Sequence, residues 1–305
     1  DPDRPNISYS VARSLSRERA LEGLLRREGR PAIVFASSRD GVQILAERLQ
    51  ARLATTELRF YHAGLTREEK TRIESWFMES LTGVLVTTCA YGMGINKKNI
   101  RTVIHYESPP SIEAYLQESG RAGRDGRPSR AILLATPLGP RAREDEGEVA
   151  RARREALEAY ASTRGRCRRE ALLSMLGAEL SAPCTGCDVC EGREDLVVEG
   201  EAEISAFLAA NPRRFDEGEA RRLLAGRPGE PPKAGASGSL AHWREEDIRV
   251  ALGLARGMGI VREAAAWPWK GRLQPGLSKA RAREKAAIPP PPAPHRRASW
   301  LFPAS

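Results

Sequence analysis

Gln117-Glu118-Ser119-Gly120-Arg121-Ala122-Gly123-Arg124-Asp125-Gly126 sets two guanidiniums three residues apart among small residues, directly after a stretch of helical periodicity. Such a pair can grip a phosphate, because a guanidinium is planar, always charged and offers a fork of donors that matches phosphate oxygens. An arginine presented across a cleft stabilises the charge that builds on a transferring γ-phosphoryl group. Outward from this stretch, short apolar runs alternate with helix-period segments from residue 1 to about 137. Ala32 to Ala36, Leu58 to His62, Val84 to Thr88, Thr102 to Tyr106 and Ala131 to Ala135 read as strands. Asp40 to Leu53, Thr66 to Met78 and Ser111 to Gly120 read as helices, the second opening on a Thr-x-x-Glu capping box. This alternation predicts an α/β fold with a parallel sheet covered on both faces, in which function collects in loops at the carboxyl ends of strands. Ser37-Ser38-Arg39, His62-Ala63-Gly64, Thr88 to Asn96 and the arginine stretch fall near such ends or at helix termini.

The string QESGRAGRDG resembles motif VI of superfamily-2 helicases in the form used by the RecQ family of DNA helicases. Thr87-Thr88-Cys89-Ala90-Tyr91-Gly92-Met93-Gly94-Ile95-Asn96-Lys97 resembles the family's motif V, and Tyr61-His62-Ala63-Gly64-Leu65 the short motif that follows motif IV. The likeness is specific from about Arg4 to about Cys190 and loose toward residue 275. It implies that residues 1–137 form the second of two RecA-like lobes, with ATP and Mg2+ held in the cleft between lobes and mostly by the first. Arg121 and Arg124 would then face the γ-phosphate, with Arg124 the finger, and Gln117 would order water or link the cleft to DNA. Gly92 and Gly94 would let the backbone approach the nucleotide beside Asn96 and Lys97; many relatives carry Asp at the position of Asn96. Phosphates of DNA would be met by Ser37, Ser38, Arg39, His62, Gly64 and Thr88, contacts that position a strand without reading its sequence.

Cys184, Cys187 and Cys190 form a CxxCxxC string, with Cys167 upstream at the start of a helix. Four thiolates close a tetrahedron that suits structural zinc, and they serve an iron–sulfur cluster equally well. The pattern C…CxxCDxC below an Arg-rich helix (Arg164 to Arg169) is similar to the RecQ zinc-binding subdomain, which implies zinc and a structural role. Cys89 reads as a buried apolar residue.

The 305 residues are enough for two or three domains. Residues 138–195 are expected to form a helical platform with the four-cysteine zinc-binding subdomain, and the acidic stretch Glu191 to Glu203 to mark a boundary. Residues 196–278 are expected to form a winged-helix-like DNA-binding domain, from helices at Ile204 to Leu208, Glu217 to Leu224 and Glu245 to Met258 and short strands at Ile260-Val261 and Leu273. There Arg221, Arg222, His242, Trp243 and Arg244 either touch duplex phosphates or form a helix cap and a solvated face. Residues 279–305 carry Pro289 to Pro292 and are expected to be disordered.

A net charge of +9 favours polyanionic partners. No apolar run approaches the roughly 20 residues that cross a bilayer, so a soluble, intracellular, cytoplasmic protein is expected. The resemblance adds a bacterial, nucleoid-associated setting, a monomer, and as partners single-stranded and duplex DNA, single-strand-binding protein and other repair proteins. No Gly-Lys pair of a phosphate-cradling P-loop occurs, and Asp145-Glu146 and Asp216-Glu217 lie in polar surroundings unlike a magnesium-binding strand end. The chain opens on what reads as an interlobe linker, Arg4-Pro5-Asn6-Ile7. The expected function is therefore the C-terminal part of an ATP-dependent 3′ to 5′ DNA helicase, inactive alone as an ATPase. The alternatives are a DNA-binding or regulatory module that has lost ATPase activity, and an RNA helicase lobe, against which the cysteines and GMGIN speak.

Overall fold

The computed structural model describes residues 3–88, 97–135, 146–180, 182–193, 198–226 and 235–276. Six strands, β1 (Ile7–Arg13), β2 (Ala32–Phe35), β3 (Leu58–Tyr61), β4 (Val84–Thr87), β5 (Thr102–His105) and β6 (Ser129–Ala135), form one sheet in the order β1-β6-β5-β2-β4-β3. Every pairing is parallel. The central strands AIVF, VLVT and TVIH are buried along their whole length, as strands covered on both faces must be.

Successive residues split between the two faces. Ala32, Val34, Val84, Val86, Ile104, Ile132 and Leu134 pack with Leu21, Leu24 and Leu25 of α1 (Arg17–Arg27) and Val42, Leu45 and Leu49 of α2 (Arg39–Leu53). Ile7, Tyr9, Val11, Ile33, Phe35, Leu85, Val103 and Leu133 pack on the other side. Their partners are Phe77 of α3 (Arg67–Glu79) and Ile112 and Tyr115 of α4 (Ile112–Ser119). Side-chain caps start these helices: Ser16, Ser38, Thr66 and Ser111 each accept an amide of the first turn. Thr66 and Glu69 complete the expected capping box.

One expectation is corrected. Ile7, of the supposed linker, opens β1: the strand pairs with β6, and Ile7, Tyr9 and Val11, alternating with Ser8 and Ser10, pack in the core on one face of the sheet. The helices of the expected platform, α5 (Glu148–Ser162) and α6 (Arg168–Met175), pack Leu157, Tyr160, Ala171 and Leu172 into one core with the sheet.

A further core gathers α7 (Glu201–Ala210), α8 (Glu217–Ala225), α9 (Glu245–Gly257) and an antiparallel ribbon of β7 (Val261–Glu263) and β8 (Leu273–Pro275). Trp243 lies within this core, its ring against Gly200, whose φ of +92° and missing Cβ make room for it. Near the end of the acidic stretch, Glu199 exchanges backbone hydrogen bonds with Arg13 and Leu15, and Leu15 joins the helical core. Arg52 of α2 reaches across to Asp247 of α9 at 3.0 Å, both buried, with Ser16 donating to the same carboxylate. Residues 277–305, with the proline run, fall outside the described residues. Among the described residues no helix is long and apolar enough to cross a membrane.

Candidate nucleotide, nucleic-acid and metal sites

Strand register brings the proposed phosphate contacts into one row. Phe35 pairs with both Thr87 and His105, and Tyr61 pairs with Thr87, so the four strands end level. Ser37, His62, Thr88 and Glu107 follow directly at this carboxyl edge. Ser38 is the N-cap of α2, its hydroxyl accepting the amide of Gly41 at 3.1 Å, and Arg39 is exposed on the first turn. His62 stacks on Phe60, and its Nδ1 accepts the amide of Gly64 at 3.2 Å. Thr88 is buried, its carbonyl accepting the hydroxyl of Thr87. Glu107 was not foreseen. Its carboxylate accepts the Ser37 amide at 2.6 Å and the Ser37 hydroxyl as well. An anion thus already sits on the donors of Ser37.

The arginine stretch lies at the opposite edge. Helix α4 starts near the carboxyl ends and runs back about 12 Å. Residues 120–128 then pack on the chain entering β5: the Gly123 amide donates to Ile100 O at 2.8 Å and the Asp125 amide to Lys98 O at 3.1 Å. Arg101 holds Asp125 at 2.6 Å, and this contact keeps the Asp125 carboxyl below its ordinary range. Gly123, at φ +55°, is required here, since a Cβ would stand 2.5 Å from Asn6 Nδ2 and from Ser129 Oγ. Arg121 is buried and Arg124 is exposed, while Gln117 is exposed on the last turns of α4. Below them His105 Nε2 and Glu118 Oε2 form a buried pair at 2.9 Å.

Gly92, Gly94 and Asn96, with Cys89, lie outside the described residues. Lys97 is buried, and its ammonium donates to the carbonyls of Met78 (3.1 Å) and Ser80 (2.8 Å) at the end of α3. The charge expected near the nucleotide is here committed to a helix C-terminus, and burial lowers its pKa. Asp216 is the N-cap of α8 and forms a capping box with Glu219, while Glu217 pairs with Arg256.

The cysteines converge. The sulfurs of Cys167, Cys184, Cys187 and Cys190 all lie within 4.8 Å of one another. A tetrahedral zinc with ligands at about 2.3 Å needs sulfurs about 3.8 Å apart, so the cage fits with small inward movement and leaves no open position. The amides of Arg168 and Cys190 donate to Cys187 Sγ at 3.5 and 3.3 Å. Hydrogen bonds from Cys167 and Cys184 hold the Cys187 thiol well below its ordinary range; the same sharing pushes Cys184 up, and burial lifts Cys190 to about 12. A dication converts such a proton-sharing cluster into four thiolates.

What fastens this centre to the sheet was not foreseen. Arg168 is fully buried, its Nε 3.0 Å from Asp188 and its Nη1 on the carbonyls of Tyr160 and Thr163. Asp188 in turn accepts the Val11 amide at 3.0 Å. Arg169 pairs with Asp3, Nη2 to Oδ2 at 2.5 Å. The Asp inside CxxCDxC and the two Arg after Cys167 are the only hints that the sequence carries.

Residues 16–126 match the helicase conserved C-terminal domain, and residues 129–191 match the RecQ zinc-binding family. The ATP-dependent DNA helicase RecQ of Pasteurella multocida is 34% identical over 198 residues, an overlap of 62% of this chain and 31% of that protein. RecQ of Haemophilus influenzae is 34% identical over 198 residues, covering 62% of this chain and 32% of the relative. The chain thus spans about a third of the length of these curated relatives. Among solved structures, the E. coli DEAD-box protein SrmB, bound to regulator of ribonuclease activity A, is similar with a TM-score of 0.38 and 28% identity, covering 42% of this chain and 75% of that one.

Proposed function

We propose that this chain, whose residues 16–126 match the helicase conserved C-terminal domain and residues 129–191 the RecQ zinc-binding family, is the ATP-sensing and DNA-gripping C-terminal part of a RecQ-type 3′ to 5′ DNA helicase acting in repair and recombination in the bacterial cytoplasm. The observation that carries this reading is the tightly built arginine loop on the same sheet as a four-cysteine centre.

In phosphoryl transfer the protein contributes positioning and charge stabilisation more than covalent chemistry. Arg124, exposed at the loop, donates to the γ-phosphate as charge accumulates in the transition state, and Arg121 braces the same oxygens from beneath. Gln117, one helical turn earlier, orders the attacking water or relays the nucleotide state along α4. That helix ends at the arginine loop and begins near the row formed by Ser37, Ser38, Arg39, His62, Gly64 and Thr88, which holds strand phosphates. Gly92, Gly94 and Asn96 complete the nucleotide side. Zinc, held by Cys167, Cys184, Cys187 and Cys190, supplies folding energy and no open coordination position. The ribbon and three helices of residues 198–276 act as a winged-helix-like duplex contact, and single-strand-binding or other repair proteins are partners of the whole machine.

The test is steady-state ATPase, with and without single-stranded DNA, on protein carrying both lobes and on its Arg124→Ala variant. A loss of about 10³- to 10⁵-fold in kcat is expected. Undiminished turnover removes Arg124 from the role. The 305-residue chain alone is expected to bind DNA without hydrolysing ATP, since no Gly-Lys pair of a P-loop is present.

A further inference from the structure

Residues 3–6 touch both sites at once. On one side, Asp3 pairs with Arg169, two residues after the ligand Cys167, and the carbonyl of Pro5 accepts the hydroxyl of Thr185, next to the ligand Cys184. On the other side, Arg4 donates to three carbonyl groups of the arginine stretch: Gly120 O at 3.2 Å, Ala122 O at 3.3 Å and Gly123 O at 3.0 Å. Asn6 Nδ2 adds Gly123 O at 2.8 Å and Arg127 O at 3.0 Å. These carbonyls belong to the turn that leaves α4, where helical partners run out and the backbone needs outside donors. A guanidinium fits such a cluster because its donors point in fixed, divergent directions. Gly123 sits so close to Asn6 that a Cβ there would lie 2.5 Å from the Asn6 amide nitrogen.

We infer that Asp3–Asn6 is a positioning strap: the zinc-held knuckle anchors it through Arg169 and Thr185, and Arg4 and Asn6 fix the loop that presents Arg121 and Arg124. Arg4 and Asn6 are positioning residues, since they meet the backbone of the loop and not the phosphate. The strap makes the metal centre a determinant of arginine geometry as well as of local folding. Its catalytic consequence rests on the reading of Arg121 and Arg124 as γ-phosphate contacts; its structural part does not.

Hydrogen–deuterium exchange on the 305-residue chain tests the structural part. Arg4→Ala and Asp3→Ala should each speed exchange at the amides of Gly123, Asp125 and Gly126 about tenfold or more, with zinc content and the exchange of β2 and β4 unchanged. Arg4→Lys, which keeps charge but reaches fewer carbonyls, should restore part of the protection. Chelating the metal should deprotect the same amides in the parent chain and add little in Asp3→Ala. Unchanged loop exchange in zinc-replete Arg4→Ala overturns the strap. Loop loosening in Arg4→Ala, with none on chelation or in Asp3→Ala, overturns the link to the metal centre. On protein carrying both lobes, Arg4→Ala should lower kcat about 10- to 100-fold, the scale of a small misplacement of reacting groups, with the KM for ATP within about threefold. If Arg124→Ala proves silent there while the exchange result holds, the γ-phosphate reading fails and the strap stands.

Discussion

The guanidinium of Arg168 lies 3.0 Å from the carboxylate of Asp188, with both side chains buried, and each residue directly follows a metal-ligating cysteine. The pair ties the two halves of the cysteine cage together, and the Val11 amide on the same carboxylate ties the cage to β1.

Removing one partner of this pair strands the other charge. Asp188→Ala should cost about 3–5 kcal/mol, the usual penalty for breaking a buried ion pair from one side. Urea denaturation followed by circular dichroism measures it, and the variant should also surrender its metal to a chromogenic chelator sooner. A change below about 1 kcal/mol would mean that Arg168 finds full compensation in the Tyr160 and Thr163 carbonyls.

Elemental analysis of the purified chain should give about one zinc per molecule. Cys187→Ser should abolish this, because its sulfur is the buried member that accepts two backbone amides. Since Leu157, Tyr160 and Leu172 belong to the core of the sheet, metal loss should loosen α5 and α6 against the lobe and lower its melting temperature. Iron with a visible charge-transfer band would instead support the iron–sulfur alternative.

Glu107 occupies the amide and hydroxyl of Ser37, donors that a strand phosphate would need. Glu107→Gln removes the competing negative charge, and affinity for a labelled single-stranded oligonucleotide should rise about 3- to 10-fold, more at low salt than at high. Fluorescence anisotropy across a salt series reads this directly. Weaker binding in the variant would show that the carboxylate orients Ser37 for its ligand and does not compete with it.

The arginine loop should be anchored across the neutral range and released only in acid. Arg101 depresses the Asp125 carboxyl, so this contact contributes fully above the unfolded value of about 3.9 and is lost as pH falls through the lower folded value. Amide exchange at Asp125 and Arg127, corrected for intrinsic rates, should therefore hold steady from pH 7 to about pH 5 and rise below about pH 4. Asp125→Asn should raise it already at pH 7 and flatten the profile.

Much of this architecture could be read from local pattern. Ile33 to Phe35, Val84 to Val86 and Thr102 to Ile104 are short runs rich in apolar and β-branched residues, and their register alone sets Ser37, Thr88 and His62 in one row. The cysteines were legible because metal ligands must recur at tight spacing. Strand β1 escaped because it is an edge strand whose alternate serines, following Pro5-Asn6, look like a connection. The ion pairs Asp3–Arg169, Arg168–Asp188 and Arg52–Asp247 escaped for a different reason. In an Arg- and Glu-rich chain each of these residues looks like a solvated surface charge, and only the fold, which joins positions far apart in sequence, reveals which ones are buried.

The pairing of β1 with β6 has a kinetic corollary. The first strand of the sheet to leave the ribosome has as its one strand partner in the sheet the last, about 120 residues later, a wait of roughly 6 to 25 s at about 5–20 residues per second. Throughout that interval the nascent chain carries Ile7, Tyr9 and Val11 with no strand beside them. Completion of translation through Ala135, and not any earlier hairpin, is the event that closes the sheet and ends its exposure to chaperones and aggregation.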